Sequence, residues 1–167
     1  MKNYFKSPIG ILQITYENEG LTSLKLIEKT DKEDKETSFS KKIKSQLKEY
    51  FSGERKTFDI KIKLYGTDFQ KKVWKELQKI SYGEVKSYSE IAKQIGNKNE
   101  QRAVGSACNK NPVMIIIPCH RVISKNGKIG GFEYGVNLKE KLLHLEKGVK
   151  YNKWKNFYLY FLRQLLF

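Results

Sequence analysis

Cysteine and histidine are scarce in this chain of 167 residues, which contains two of each. The two cysteines, Cys108 and Cys119, are too few for the disulfide framework of a small secreted protein. Because His120 and His144 are the only histidines, a closed four-ligand zinc site is nearly excluded. We therefore expect a protein of a reducing cytosol that uses neither a metal nor another cofactor.

Long apolar runs are also missing. No segment reaches the ~20 apolar residues that span a bilayer, and the first residues, Met1 to Lys6, lack the apolar core of a signal peptide. The sequence therefore predicts a cytoplasmic protein with no membrane partner.

Acidic residues are few compared with basic ones. Thirty-three Lys and Arg stand against 18 Asp and Glu, giving a formal net charge of +15. An excess of this size in a short chain favours a polyanionic partner, of which nucleic acid is the first candidate. The alternative is a set of solvated lysine faces, as in Lys41 to Lys44, which also occur in proteins that bind no DNA.

The first third of the chain has the pattern of strands with one helix. Alternating apolar residues on both sides of a Gly-containing turn predict a hairpin of Ile9–Tyr16 with Leu21–Ile27. Apolar residues at helical spacing predict a helix over Ser40–Phe51. The alternation in Ile60–Leu64 is typical of one further half-buried strand.

Short capped helices are expected from Thr67 onward. Capping-box patterns begin at Thr67 and at Ser87, and Asn99 and Asn137 are candidate caps for two later helices. The helices that follow Ser87 and Asn99 form a candidate helix-turn-helix. The predicted fold class is α/β, of the α+β type. It comprises a small strand-rich domain (residues 1–65), a mainly helical domain (66–149) and an apolar C-terminal extension (150–167).

The motif Pro118 to Val122 follows a buried apolar run and contains Cys119, His120 and Arg121. Cationic or hydrogen-bonding neighbours lower a thiol pKa from its usual value of roughly 8.5, so Cys119 is a candidate nucleophile. A buried structural thiol beside a core imidazole would have the same pattern. Cys108, on the small face of a helix, is predicted to be a core thiol.

These motifs together resemble the O6-alkylguanine-DNA alkyltransferases, also called methylated-DNA–protein-cysteine methyltransferases. The resemblance covers Thr67 to Gly148 strongly, and Ser7 to Phe51 looks like the smaller, more variable domain of the family. The matching residues are Phe69-Gln70, Val73-Trp74, Tyr82 to Val85, Ser87-Tyr88, Arg102 to Gly105, Asn111 to Val113, Ile117 to Val122, Gly127, Gly130-Gly131, Lys139, Leu142-Leu143 and Glu146.

The resemblance implies a single, irreversible transfer of an alkyl group from guanine O6, and possibly from O4-alkylthymine, to Cys119. His120 would then be the base, acting through water, and Glu146 would orient it. Tyr88 would donate a proton to the departing guanine. Lys139 would support that end of the site, and Asn111 would brace the histidine and its turn.

The resemblance also implies a partner, double-stranded DNA containing alkylated guanine, bound by a monomer. The damaged base must be flipped out of the stack, and Arg102 matches the arginine that fills the gap. The helix that carries Arg102 would bind the minor groove. The other predicted DNA contacts are Ser87, Ala103, Gly105, Ser106 and Arg121.

Two other function classes remain open from the residues alone. One is a non-catalytic relative that binds alkylated DNA, and the other is a cysteine hydrolase or redox protein. The reactive cysteine argues against the first, and the absence of a Cys-x-x-Cys pair argues against the redox form of the second. Glu133, in the loop predicted to line the alkyl pocket, leaves the range of alkyl groups open.

Overall fold

A computed structural model describes residues 1–148 of the chain. The predicted apolar extension, residues 150–167, lies outside this range. The strands are β1 (Lys2–Ser7), β2 (Gly10–Glu17), β3 (Gly20–Ile27), β4 (Lys86–Ser87) and β5 (Val122–Ile123), and the helices are α1 (Ser38–Phe51), α2 (Asp68–Leu77), α3 (Tyr88–Gln94), α4 (Gln101–Asn109) and α5 (Val136–Glu146). Within residues 1–148 no helix is long and apolar enough to cross a membrane.

The N-terminal part is an antiparallel sheet in the order β1-β2-β3, against which α1 packs. The predicted hairpin of β2 and β3 is confirmed, with Leu12 and Ile14 fully buried. Strand β1 was not predicted, because the polar residue Asn3 occupies one of its core-facing positions. Its side chain is satisfied there by the hydroxyl of Tyr16 (3.0 Å) and the carbonyl of Asp34 (2.7 Å).

Helix α1 begins two residues earlier than predicted. Its N-cap is Thr37, whose hydroxyl accepts the backbone N–H of Ser40 at 3.2 Å. It ends at Phe51 as expected, and Gly53 follows in the left-handed region with φ 81°. This helix buries Ile43, Leu47 and Tyr50 completely.

The predicted strand over Ile60–Leu64 is wrong. The segment makes one parallel bridge, between Leu21 and Ile62. Two hydrogen bonds form it, from Leu21 N–H to the Lys61 carbonyl (2.8 Å) and from Lys63 N–H to the Leu21 carbonyl (2.9 Å). The alternating sequence pattern therefore reflects alternating burial in an extended segment that is not a hydrogen-bonded strand.

The C-terminal part is mainly helical, so the predicted fold class is confirmed. The capping boxes that begin α2 at Thr67 and α3 at Ser87 are both present. The other two predicted caps are wrong: Glu100 precedes α4 without a side-chain cap, and Gly135 (φ 91°) precedes α5, which leaves Asn137 inside the helix. The predicted domain boundary, between residues 65 and 66, stays a prediction.

Helices α3 and α4 form the predicted helix-turn-helix, with Gly96 (φ 86°) in the turn. Trp74 of α2 packs beneath the pair and donates its indole N–H to the carbonyl of Ala107 at 2.9 Å. The short parallel pair of β4 with β5 ties the start of α3 to the residues that follow Cys119. The helix-turn-helix and the cysteine motif are thus built into one unit.

Replacing Thr67 with Ala tests the cap of α2. The side chain is exposed, so the change removes the cap without opening a cavity, and we expect the free energy of unfolding to fall by about 1 kcal/mol. Urea unfolding followed by tryptophan fluorescence measures it. Thr67→Ser keeps the hydroxyl and should stay near wild type; an equal loss in both variants would contradict the capping role.

Candidate active site

The segment before the cysteine is held by the N-terminal sheet. Strand β3 forms a parallel bridge with it, in which Leu24 N–H donates to the Pro112 carbonyl (2.9 Å) and Met114 N–H donates to the Leu24 carbonyl (3.0 Å). Directly after this bridge, Ile115 has φ 71°. A β-branched residue in this region is strained by about 1–3 kcal/mol, so the surrounding contacts must impose the turn.

Cys119 lies in a single turn of 3₁₀ helix, Cys119–Arg121, and is buried. The side-chain amide of Asn111 donates to its Sγ at 3.1 Å and to the Ile117 carbonyl at 2.7 Å, while its oxygen accepts Val113 N–H at 3.0 Å. Asn111 therefore braces the cysteine turn itself. The sequence predicted that it braces the histidine and its turn, and Cys119–Arg121 is the turn that contains His120.

The Cys119 sulfur is a thiol at neutral pH. Burial raises its pKa to about 11, although the hydrogen bond from Asn111 and the charge of Lys139 act in the opposite direction. A hydrogen-bonding neighbour and a cationic neighbour thus do lower the pKa of Cys119, as the sequence predicted, but burial outweighs them. Nucleophilic chemistry at this sulfur requires a base that removes the proton.

His120 is the adjacent candidate base. It is fully buried, and its Nε2 lies 2.6 Å from Oε1 of Glu146. Because a carboxylate can only accept, Nε2 carries the proton and Nδ1 is left as an acceptor. Among the described residues Nδ1 has no hydrogen-bond partner. Burial, with the positive charges of Arg121 and Lys139, lowers the pKa of His120 against the opposing effect of Glu146, so the imidazole is neutral.

Glu146, at the end of α5, is a buried carboxylate surrounded by donors. Oε1 accepts the Tyr50 hydroxyl (2.7 Å), His120 Nε2 (2.6 Å) and Arg121 Nη2 (3.0 Å), while Oε2 accepts Arg121 Nε (2.8 Å) and Gly83 N–H (3.4 Å). Burial acts to raise the pKa of Glu146, but the hydrogen bonds and charges of His120 and Arg121 outweigh it and lower the pKa. The carboxylate is ionised.

The structure gives no support to the predicted contact of Arg121 with DNA. Its guanidinium is buried, pairs with Glu146 through two nitrogens, and donates from Nη1 to the Ile80 carbonyl at 2.6 Å. The ring of Tyr82 lies 5.8 Å from its central carbon. Arg121 is therefore the internal counter-ion of Glu146.

Tyr88 and Lys139 meet on another side of the cysteine. Lys139 is fully buried, and its Nζ donates to the carbonyls of Val122 (2.5 Å) and Gly131 (3.0 Å) and lies 3.5 Å from the Tyr88 hydroxyl. Burial raises the pKa of Tyr88 to about 12, with a further contribution from Cys108 and Cys119. Burial lowers the pKa of Lys139. The phenol is thus protonated, and the amine of Lys139 donates toward its oxygen.

Gly130 allows Tyr88 to reach this position. Its φ is 75°, and a Cβ there would come within 3.3 Å of the Tyr88 ring and 3.1 Å of the Ser124 hydroxyl. A Cβ at residue 130 would therefore push the Tyr88 ring and the Ser124 hydroxyl back by a few tenths of an ångström, and the positive φ would strain any residue other than glycine.

The predicted DNA contacts divide into two groups. Arg102 and Ser106 are exposed on α4, and Ala103 and Gly105 are partly exposed. All four side chains or backbone positions are accessible to DNA, and their contacts stay predictions. Ser87 is buried, and its hydroxyl accepts Glu90 N–H at 3.2 Å as the cap of α3. The structure therefore supports a capping role for Ser87 and gives no support to a DNA contact.

The remaining polar candidates fit secondary roles. Cys108 is buried as predicted, and burial raises the pKa of its thiol. The charge of Glu133 contributes to the raised pKa of Cys119, so this carboxylate lies near the sulfur. Within residues 1–148 no cluster of His, Cys, Asp or Glu could hold a metal ion.

Sequence reasoning did not identify Tyr50 as a site residue. Tyr50 occupies a regular apolar position of α1, which is typical of a core aromatic, and it lies 96 residues from Glu146 in the sequence. No local pattern could have indicated this contact.

The fold and the site define a helix-turn-helix protein with a buried cysteine beside a His–Glu pair. Two family models match: residues 1–64 match the ribonuclease-like domain, and residues 68–148 the DNA binding domain, of 6-O-methylguanine DNA methyltransferase. The chain therefore belongs to the 6-O-methylguanine DNA methyltransferase family.

Similar proteins support this membership. The methylated-DNA–protein-cysteine methyltransferase of Methanosarcina acetivorans is 47% identical over 148 residues, covering 85% of this chain and 95% of that protein. Its counterpart in Mycobacterium tuberculosis H37Rv is 46% identical over 147 residues, covering 84% and 88%. The crystal structure of M. tuberculosis OGT in complex with DNA has a TM-score of 0.82 at 45% identity, covering 88% of this chain and 92% of that one.

Replacing Arg121 with Met tests the buried ion pair. Leaving Glu146 buried without its counter-ion should lower the free energy of unfolding at pH 7 by about 3–5 kcal/mol. The folded-state pKa of Glu146 is depressed, so the stability it contributes is present above its unfolded pKa of ~4.3 and is lost as pH falls. The difference in free energy of unfolding between wild type and Arg121→Met should therefore shrink below about pH 4.

Urea unfolding at pH 7 and under acidic conditions measures both effects. Arg102→Met is the matched control, because Arg102 is exposed and its loss should leave stability nearly unchanged. A penalty for Arg121→Met that stays constant in acid would contradict the coupling to Glu146.

Proposed function

We propose that this protein repairs O6-alkylguanine in double-stranded DNA by transferring the alkyl group to its own Cys119, once per molecule. One arrangement carries the proposal: Asn111 fixes the Cys119 sulfur in the turn that also contains His120, which is paired with Glu146. The protein acts as a monomer in the cytoplasm and needs no cofactor.

The transfer begins with the loss of the thiol proton. His120 is neutral and its Nδ1 is an acceptor, so it takes the proton of Cys119 through a bridging water. Glu146 stabilises the imidazolium that forms, as the acidic member of a catalytic triad does. The sulfur then attacks the alkyl carbon. The new S–C bond forms as the bond between that carbon and guanine O6 breaks.

The departing guanine accumulates negative charge as the C–O6 bond breaks. Tyr88 is protonated and lies 3.5 Å from Lys139 Nζ, which stabilises any negative charge on the phenol oxygen. Tyr88 is therefore the proton donor to the base, and Lys139 supports the donor. The alkylated cysteine has no path back to a thiol in this scheme, so turnover stops at one.

DNA binds on the face of α4. Arg102 is exposed there, near the start of a helix whose outer residues are small, which suits close approach to a groove. Arg102 fills the space of the flipped base, and Ala103, Gly105 and Ser106 contact the groove around it. Phosphate contacts come from the surrounding lysines and make the affinity depend on salt.

Replacing Cys119 with Ser should abolish transfer, because the serine hydroxyl is a far weaker nucleophile under these conditions. The measurement is the intact mass of the protein after incubation with duplex DNA containing O6-methylguanine. Wild type should gain one methyl group on Cys119 and no more. Cys108→Ser is the control and should still be methylated once; multiple turnover, or label on Cys108, would overturn the mechanism.

DNA binding by Cys119→Ser separates this proposal from the alternative of a non-catalytic binding protein. The variant should keep the affinity of wild type for duplex DNA. Binding of alkylated DNA by a wild-type protein that is never methylated would favour the alternative.

Replacing Arg102 with Ala should slow repair of duplex DNA at least about tenfold, since base flipping costs a few kcal/mol that the arginine offsets. Transfer from free O6-alkylguanine base should be nearly unchanged, because no base has to be flipped. Single-turnover rates with the two substrates make the comparison. Equal losses on both would remove the gap-filling role.

A further inference from the structure

Tyr50 links the N-terminal domain to the candidate catalytic carboxylate. It lies one residue before the end of α1, it is fully buried, and its hydroxyl donates to Oε1 of Glu146 at 2.7 Å. The same oxygen accepts Nε2 of His120 at 2.6 Å. The phenol, the imidazole and Nη2 of Arg121 (3.0 Å) thus share one acceptor atom.

The position of the phenol is fixed by aromatic packing. The Tyr50 ring contacts Phe51, Phe58 and Tyr82, with centroid distances of 5.3, 5.5 and 6.1 Å. Burial and the negative charge of Glu146 raise the pKa of Tyr50, so the hydroxyl is a permanent donor. A rigid donor of this kind defines both the place and the basicity of the oxygen that it contacts.

We infer that Tyr50 is a positioning residue for alkyl transfer: it fixes the Glu146 oxygen that orients His120, so the N-terminal domain completes the catalytic relay. The inference rests on the proposed function of Cys119. It extends that function, because the N-terminal domain would then contribute to the chemistry in addition to the fold.

Three charged or titratable groups besides Tyr50 face the His120–Glu146 pair. Arg121 precedes β5, Lys139 lies on α5, and Tyr82 follows α2. Arg121 and Lys139 lower the pKa of His120, and Glu146 raises it. A donor on Oε1 withdraws charge from the oxygen that stabilises protonated His120. Tyr50 therefore helps to keep His120 neutral and ready to accept a proton.

The test is Tyr50→Phe in the full-length protein, which removes one oxygen and keeps the ring. Without this donor Oε1 becomes a stronger acceptor, so the pKa of His120 rises and the acid limb of the transfer rate moves to higher pH, by about one unit. Loss of the fixed geometry should lower the plateau rate about tenfold at saturating DNA. DNA affinity should not change, because Tyr50 is buried.

Tyr16→Phe is the matched control. Tyr16 is a buried tyrosine of the same domain whose hydroxyl bonds only Asn3 and Thr37 among the described residues, so the change removes a comparable hydrogen bond away from the site. It should leave the rate and its pH profile as in wild type. If Tyr50→Phe behaves like wild type, or if Tyr16→Phe shows the same slowing and the same shift, the inference is wrong.

The state of His120 gives a readout that does not need transfer. The chain has two histidines, so ¹⁵N-histidine NMR gives two imidazoles, and His144→Gln assigns them. In Tyr50→Phe the His120 signals should move toward the imidazolium at higher pH than in wild type or Tyr16→Phe. Identical titrations in all three proteins would overturn the inference, whereas a wild type that titrates as expected but accepts no alkyl group would overturn the proposed function alone.

Discussion

A buried carboxylate must be compensated from every side, and this requirement organises the centre of the molecule. Glu146 receives donors from α1, from the turn after α2, and from the residues that follow Cys119. Removing a partner from such a charge costs far more than the pair contributes in net stability. Because the donors come from segments distant in sequence, one side chain fixes how the N-terminal helix, the cysteine turn and α5 are placed together.

The cysteine turn depends on the N-terminal sheet in a second way. Strand β3 hydrogen-bonds the backbone of Pro112 and Met114, and the strained Ile115 follows directly. A β-branched residue adopts a positive φ only where surrounding contacts leave no alternative. The sheet therefore helps to position Cys119 through its backbone hydrogen bonds to residues 112 and 114. The N-terminal part thus contacts the residues around Cys119 through the backbone of β3, and contacts Glu146 through the Tyr50 hydroxyl.

The sequence predicted what is encoded locally or in motifs. The capping boxes located α2 and α3. The motif around Cys119 predicted the sulfur and the imidazole, and the resemblance predicted the distant carboxylate, which lies 2.6 Å from that imidazole. Arg121 was predicted to contact DNA, whereas the structure pairs it with Glu146, 25 residues further along the chain. Strand β1 was missed because Asn3 is polar, whereas the alternating pattern of a half-buried strand requires an apolar residue at that core-facing position. In both cases the deciding partner lies far away in sequence, where no local pattern reports it.

A thiol with a raised pKa suits a nucleophile that reacts once. Thiolates, not thiols, are the forms that oxidants and stray electrophiles consume, and the pKa of Cys119 is raised to about 11 by burial. A permanently ionised cysteine would react faster, but any incidental adduct on its sulfur would inactivate the protein before it met a lesion. With a neutral imidazole next to it in sequence, the proton can leave when an alkyl carbon is in place. In the proposed mechanism, burial protects the sulfur and the His120–Glu146 pair restores its reactivity at the moment of transfer.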